Sequence, residues 1–259
     1  MEVHHHAHTA RKKWTHYFWE FLMLFLAVFC GFLAENQREH MIEHQRAKVY
    51  AANLYEELKK DTAGINRTIQ DIKITTGKLD SFCLLGTEKT SRNVTNGTLY
   101  YYASYTTLIN LYASENTTID QLKGSGNLRL MGNAISQLIN VYEKKLNALE
   151  NEYDLTKPEF AKIEELYFKI FNSYAIQILL REGPARVRDS VNSMPHIRDA
   201  VFKMTTPLLN EDPALMKEFI GWLDFESQIY RHHSTNFLIP LKKTAAALIE
   251  LLKKEYRLK

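Results

Sequence analysis

The sequence contains almost no cysteine, with two residues in 259, Cys30 and Cys83. Cys30 lies inside a long apolar run and Cys83 lies far downstream, so we expect no disulfide within one chain. Two isolated thiols also provide no cysteine-based metal site. The cysteines therefore exclude a disulfide-stapled fold but leave the redox compartment open.

The sequence also lacks a strong charge of either sign. Its 33 lysines and arginines and 30 aspartates and glutamates leave a formal net charge of +3. The basic residues are scattered, whereas nucleic-acid-binding domains present a clustered cationic face, so we expect no nucleic acid partner. With 45% apolar and 24% charged residues, the composition is that of a folded globular protein.

Two further patterns are missing. No acid, base and nucleophile occur together at a motif spacing, so we expect a non-enzymatic protein without a cofactor. Few stretches show the period-two alternation that is typical of strands. We predict an all-α fold, in which one N-terminal transmembrane helix continues into a stalk helix and then into a soluble bundle of about five or six helices.

One long hydrophobic run is present, residues 14–34, WTHYFWEFLMLFLAVFCGFLA. As an α-helix this run is about 30 Å long, which matches the hydrocarbon thickness of a bilayer. Trp14, Tyr17 and Trp19 lie at its beginning, where amphipathic rings favour the headgroup region. We predict that this segment crosses a membrane once and that lipid is a partner.

The flanking residues predict an uncleaved anchor and its orientation. Residues 32–34 (FLA) offer only one of the two small residues that a signal peptidase recognises. Residues 11–13 (RKK) precede the run, whereas acids and bases balance after it. The positive-inside rule then places the N-terminus in the cytoplasm and the large domain in the periplasm, so the expected localisation is the bacterial inner membrane.

Small and polar residues share one face of the predicted span. Leu24, Ala27, Gly31 and Ala34 follow Glu20 at the four-three spacing of a left-handed helix pair. Helices in a bilayer associate by close packing at small residues and by polar contacts, so we predict a homo-oligomer with this face as its interface. Glu20 has three possible roles, which are snorkelling to the cytoplasmic edge, an interface hydrogen bond, and an ion or proton pathway.

Composition divides the chain into four segments. They are a short cytoplasmic tail (1–13), the transmembrane helix (14–34), a juxtamembrane stalk helix (35–60) and a soluble helical domain (61–259). The first residues of the stalk, ENQREHMIEHQRAK, carry no apolar stripe, whereas apolar residues recur at helical spacing from Val49. Residues 61–93 fit either a continuation of this helix or a second, antiparallel helix.

Two histidine patterns suggest metal binding. His40, Glu43 and His44 form the H-x-x-E-H pattern, in which two histidines bind zinc and the glutamate activates water. The pattern lies among polar neighbours without an identifiable third ligand, so we expect a hydrated helix face. The histidines of residues 4–8 are better explained as a tag remnant or an incidental tract than as a metal site.

Capping signals predict the helices of the second half. Thr156 and Glu159 form a capping box around Pro158, which predicts a helix that begins there and reaches Leu180. Residues 212–213 (DP) predict the start of another helix. The last helix carries one apolar face of Leu241, Ala245, Leu248 and Leu252. Four tyrosines within residues 100–105 are expected to pack in and around the core rather than to form a binding platform.

Residues 117–131, TTIDQLKGSGNLRLM, contain a helix break, because the Gly124–Asn127 stretch ends one helix and starts the next. The T-x-x-x-L-K-x-S-G-N-L-R-L pattern, together with the basic N-terminus, the early Glu20 and the polar helical exit, resembles a group of uncharacterised single-span membrane proteins from Bacteroidota. The resemblance covers roughly the first half of the chain. It implies an inner-membrane protein with a domain of unknown function, and no catalytic residues come with it.

Three hypotheses for function follow. The first is a non-enzymatic structural or interaction subunit of the cell envelope, which assembles with itself or with an envelope protein partner. The second is an ion- or proton-conducting or force-coupling membrane assembly that uses Glu20. The third is a zinc hydrolase that uses His40, Glu43 and His44.

Overall fold

The computed structural model describes residues 14–88, 94–106, 111–175 and 194–258. Within these ranges the ordered elements are all helical and no strand occurs, which confirms the predicted all-α fold. The elements are α1 (Trp14–Glu88), α2 (Asn96–Ala103), α3 (Thr117–Gly124), a 3₁₀ helix (Asn127–Met131), α4 (Asn133–Ile170), α5 (Pro195–Phe202), α6 (Pro213–His232), a π-helix (His233–Leu238) and α7 (Ile239–Tyr256).

Helix α1 is continuous over 75 residues, which corresponds to about 110 Å. The predicted span, the stalk and the residues up to Glu88 therefore form one helix, so the second, antiparallel helix considered for residues 61–93 does not occur. The first buried position is Ala47, which lies within the predicted stalk segment.

From Ala47 onward α1 buries one stripe of side chains at strictly alternating spacings of four and three residues. A stripe with this 3.5-residue period faces a single neighbouring surface, as in helix pairs of the coiled-coil type. The buried positions of the stripe are Ala47, Ala51, Leu54, Leu58, Asp61, Ile65, Thr68, Ile72, Thr75, Leu79 and Phe82.

The bundle forms around this stripe. The second half of α1 packs against α6 and α7, and α4 packs against the same two helices from another side. Phe82 lies at the centre of an aromatic group, with its ring 6.2 Å from Phe171 and 5.5 Å from Phe219. The predicted apolar face of the last helix is fully buried in α7, from Leu241 to Leu252.

The predicted helix boundary at Pro158 is wrong, because α4 continues through it from Asn133 to Ile170. The Thr156 hydroxyl donates back to the Glu152 carbonyl, 3.0 Å away, instead of capping a new helix. Pro158 and Asp154 are both exposed, so water can solvate the Asp154 carbonyl that proline leaves without a donor. An exposed proline in a long helix is thereby tolerated.

Other local predictions are confirmed. Asp212 caps α6, where its carboxylate accepts a hydrogen bond of 3.0 Å from the Ala214 N–H. Helix α3 ends at Gly124, and Gly126 adopts a left-handed φ of 68° before the 3₁₀ helix begins. Tyr100 and Tyr105 are almost completely buried, which agrees with packing in the core.

Candidate functional site

The first part of α1 exposes apolar side chains on all sides. Trp14 is 82% exposed, Val28 is 73% exposed and Phe32 is 71% exposed. The most apolar window of this helix has none of its residues buried in the structure. Among the described residues, α1 is the one helix that is long and apolar enough to cross a membrane.

The predicted helix interface is an open surface of the single chain. Leu24, Ala27, Gly31 and Ala34 are all exposed, and a Cβ atom placed on Gly31 meets no atom within 4 Å. A second set of large side chains forms a phenylalanine ladder along α1, in which the Phe25 and Phe29 rings stack 5.9 Å apart. The small-residue face is therefore free for close approach of another helix, and its use as an interface stays a prediction.

Glu20 has a partner on its own helix that we did not predict. The His16 Nε2 atom lies 3.2 Å from the Glu20 Oε1 atom, and both side chains are about half exposed. The signal was present in the sequence, because residues four apart face each other on a helix. A carboxylate near the membrane edge is less costly when such a donor lies beside it.

The H-x-x-E-H residues lie at a cleft between α1, the 3₁₀ helix and the end of α7. His40, Glu43 and His44 line it together with Arg129 and Glu255. The Glu43 Oε1 atom lies 2.5 Å from Arg129 Nη2, so an ion pair already engages the carboxylate that would activate water. In the described ranges no three His, Cys, Asp or Glu side chains are placed to hold a metal ion. The histidines of residues 4–8 lie outside those ranges.

The S-G-N-L-R-L pattern contacts the beginning of the bundle on α1. Besides the ion pair of Arg129 with Glu43, the Asn127 amide donates to the Tyr50 hydroxyl at 3.2 Å. Helix α3, directly before it, is anchored by Glu57, which accepts hydrogen bonds from the Thr118 N–H and hydroxyl at 3.0 and 2.7 Å. The pattern thus supplies contacts that hold this segment against α1.

A second cleft, of about 500 Å³, lies where the buried stripe of α1 contains Asp61. The Asp61 Oδ2 atom accepts hydrogen bonds from the Tyr142 hydroxyl at 2.7 Å and from the Ser114 hydroxyl at 2.8 Å. Tyr112 also lines this cleft. Sequence reasoning missed the site, although a carboxylate in the register of a mostly apolar four-three stripe was a usable signal.

Two titratable groups are completely buried near the junction of α6 and the π-helix. Glu226 continues the apolar stripe of Phe219 and Leu223, and burial raises its carboxyl pKa to about 8. His233 is the first residue of the π-helix, and burial, together with the charge of His232, lowers its imidazole pKa to about 4. Both side chains are therefore uncharged near neutral pH, which is the state that a buried site favours.

Comparisons of the chain with protein-family models, with curated proteins and with solved structures gave no match.

Proposed function

We propose that the protein is a single-pass membrane protein of the bacterial inner membrane that acts as a non-enzymatic structural or interaction subunit of the cell envelope. In this proposal residues 14–34 cross the membrane, the N-terminus lies in the cytoplasm, and the helical domain lies in the periplasm. The resemblance of the first half of the chain to single-span proteins of Bacteroidota agrees with it.

The observation that supports this proposal best is the apolar part of α1, where the most apolar window has no buried residue. A contiguous apolar surface of this size is unfavourable in water and is typical of a membrane or protein interaction site. Its length fits the hydrocarbon core, and the polar stalk that follows separates it from the bundle. Lipid tails can contact the apolar side chains of such a helix on every side.

Orientation is tested with two reporters fused after Lys259, one active only outside the cytoplasm and one active only inside it. We expect activity of the first reporter alone, because cations precede the span and balanced charges follow it. Activity of the cytoplasmic reporter alone would reverse the proposed topology.

Self-association through Leu24, Ala27, Gly31 and Ala34 is tested by a matched pair of substitutions on opposite faces. Gly31→Leu fills the face where helices would approach closely, whereas Phe29→Leu changes the other face. We expect a larger loss of dimer or oligomer signal for Gly31→Leu in a membrane association assay. Equal losses, or a wild-type monomer in mild detergent by mass measurement, would contradict the proposed interface.

A proton- or ion-conducting assembly that uses Glu20 is the second candidate. It is favoured by the contact between His16 and Glu20, which places two titratable groups one turn apart in an apolar segment. Proton flux into liposomes that contain the wild type, but not into liposomes with Glu20→Gln, would support it. Equal flux in both preparations would exclude the role of Glu20.

A further inference from the structure

The junction between α6 and α7 is an irregular point in a long helix. Helix α6, the π-helix and α7 follow one another without a break. At the end of the π-helix the Ile239 N–H donates to the Ser234 carbonyl, five residues earlier. Pro240 comes next, and in an α-helix its ring would clash with the carbonyl four residues before it, so the wider turn accommodates it. Pro240 also removes one backbone donor, which makes this turn a weak point of the helix.

His233, the first residue of the π-helix, is buried without a hydrogen bond. Its side chain is fully buried, and neither ring nitrogen makes a hydrogen bond within the part of the chain that the structure describes. The imidazole has therefore lost its hydration without full compensation. Thr235 and Asn236, on the same turn, are exposed to solvent. A local opening of the π-helix would thus let water reach the imidazole.

Titratable groups of α4 and α6 face His233. From α4, the Glu152 Oε1 atom lies 3.9 Å from His233 Nε2, and the Tyr153 ring packs edge to face with a centroid distance of 5.2 Å. From α6, the His232 Nε2 atom lies 3.8 Å from the same Glu152 oxygen. Tyr230 and Glu226 lie one and two turns earlier on the buried stripe of α6.

Helices α1 and α7 also pack against the π-helix. Their nearby core positions carry no titratable group, and these are Thr68, Ile72, Thr75, Leu241 and Thr244. Burial lowers the pKa of His233 to about 4, and the charge of His232 adds to this effect. Because the ordinary value is 6.5, the stability that the neutral imidazole contributes is complete above about pH 6.5 and is lost as the pH falls towards 4. Acid therefore favours any state in which His233 is hydrated.

We propose that the π-helix is an acid-sensitive hinge, which opens locally and lets His233 leave the core while the rest of the bundle stays folded. Global unfolding exposes Glu226 together with His233, and the pH dependences of these two groups offset each other between pH 4.5 and 6.5. An opening confined to the π-helix exposes His233 alone and keeps its full pH dependence. The hinge is independent of the membrane topology, because all of these residues belong to the bundle.

Hydrogen exchange of the full chain in non-ionic detergent, read by mass spectrometry, separates local from global opening. After correction for the intrinsic chemical rate, residues 233–240 should exchange about 20-fold faster at pH 5 than at pH 7. This ratio follows from a pKa of 6.5 in the open state and about 4 in the closed state. Exchange of residues 54–65 of α1 should not become faster. An equal rise in both segments, or no rise in residues 233–240, would overturn the proposal.

Two neighbouring substitutions assign the effect to one imidazole. His233→Gln cannot take up a proton, so the ratio for residues 233–240 should fall to about one. The matched control is His232→Gln at the half-exposed neighbour, which should keep the wild-type ratio. A wild-type ratio in His233→Gln, or loss of the ratio in His232→Gln, would contradict the hinge. If His233→Gln fails to fold, the comparison of the two segments in the wild type still decides.

Discussion

The two halves of α1 have the same backbone and opposite surroundings. Residues 14–46 are apolar around the full circumference at first and then polar, and most of their side chains are exposed. Residues 47–88 are apolar along one stripe, and that stripe is buried against the bundle. A stripe needs one neighbouring surface, whereas an apolar cylinder needs an apolar medium on all sides. The pattern of side chains, and not helix formation itself, therefore decides which half belongs to the protein core.

Small and charged residues occur where α1 changes from exposed to buried. Ala47 and Ala51 are the first buried positions, and their small size lets α1 approach its neighbours closely. Before them, Arg38 donates to Glu35 one turn earlier, and this contact lowers the pKa of the Glu35 carboxyl. Such pairs stabilise a helix that has no core contacts.

The largest expected difference between the halves comes from removing a leucine side chain in each. Leu58→Ala leaves a cavity in the bundle and should lower the free energy of unfolding by about 3 kcal/mol. Leu24→Ala, in the exposed half, should leave the unfolding of the bundle unchanged. Urea titration of both variants in the same detergent measures this. Similar losses would show that the two halves unfold as one unit.

A smaller difference in stability is expected between variants of Glu226, a buried acid of the bundle, and of Glu20, an exposed acid of the first half. Glu226 has a folded-state pKa of about 8, above its ordinary value of 4.5, so the native state holds a proton that the unfolded state releases. Stability from this group is therefore complete below about pH 4.5 and is lost as the pH rises towards 8, at about 1.4 kcal/mol per pH unit.

His233 has the opposite effect on stability below its ordinary pKa of 6.5. Its folded-state pKa is lowered to about 4, so stability from this group rises with pH up to about 6.5. Between pH 4.5 and 6.5 the two slopes offset each other, and above pH 6.5 Glu226 acts alone. We expect the wild type to lose about 2 kcal/mol between pH 6.5 and 8, and Glu226→Gln to remove that loss. Unfolding titrations at several pH values measure it. Glu20→Gln is the matched control, and a change in its profile would mean that the two acids are not separated as described.

The smallest expected difference comes from glycines of α1. Gly77 lies in the second half, and an added Cβ meets no atom within 4 Å, so Gly77→Ala should raise the stability of the bundle by about 0.5 to 1 kcal/mol through helix propensity. At Gly64 the Tyr112 ring lies close, so the same substitution should gain less. Gly31→Ala should leave thermal unfolding of the bundle unchanged. A gain at Gly31 equal to that at Gly77 would remove the distinction between the halves.

Sequence patterns predicted the features whose signals are local. The apolar length of residues 14–34, the cap at Asp212 and the face of Leu241 to Leu252 each depend on residues within a few turns. Pro158 was misread because the same residue suits the first turn of a helix and an exposed site inside one, and the residues around it do not distinguish the two.

The features that sequence reasoning missed depend on distant partners. Asp61 and Tyr142 are 81 positions apart, and only the packing of α4 on α1 brings them into hydrogen-bond distance. Glu226 occupies a core position of its stripe, but whether a stripe faces a wet or a dry neighbour is a property of the assembled bundle. The partners and the burial of polar residues at core positions can thus be identified only from the tertiary structure.

Because α1 is unbroken, it also fixes how the bundle is rotated about the helix axis relative to the predicted span. Each residue of an α-helix advances the chain by about 1.5 Å and turns it by about 100°. The number of residues between Ala34 and Ala47 therefore fixes the direction in which each face of the bundle points around the helix axis. It also fixes the distance of the bundle from the span along that axis. One residue more or fewer in the stalk would swing the Asp61 cleft by more than a quarter of a circle relative to the small-residue face of the span. The number of residues in the stalk thus determines the rotation of the bundle relative to the span.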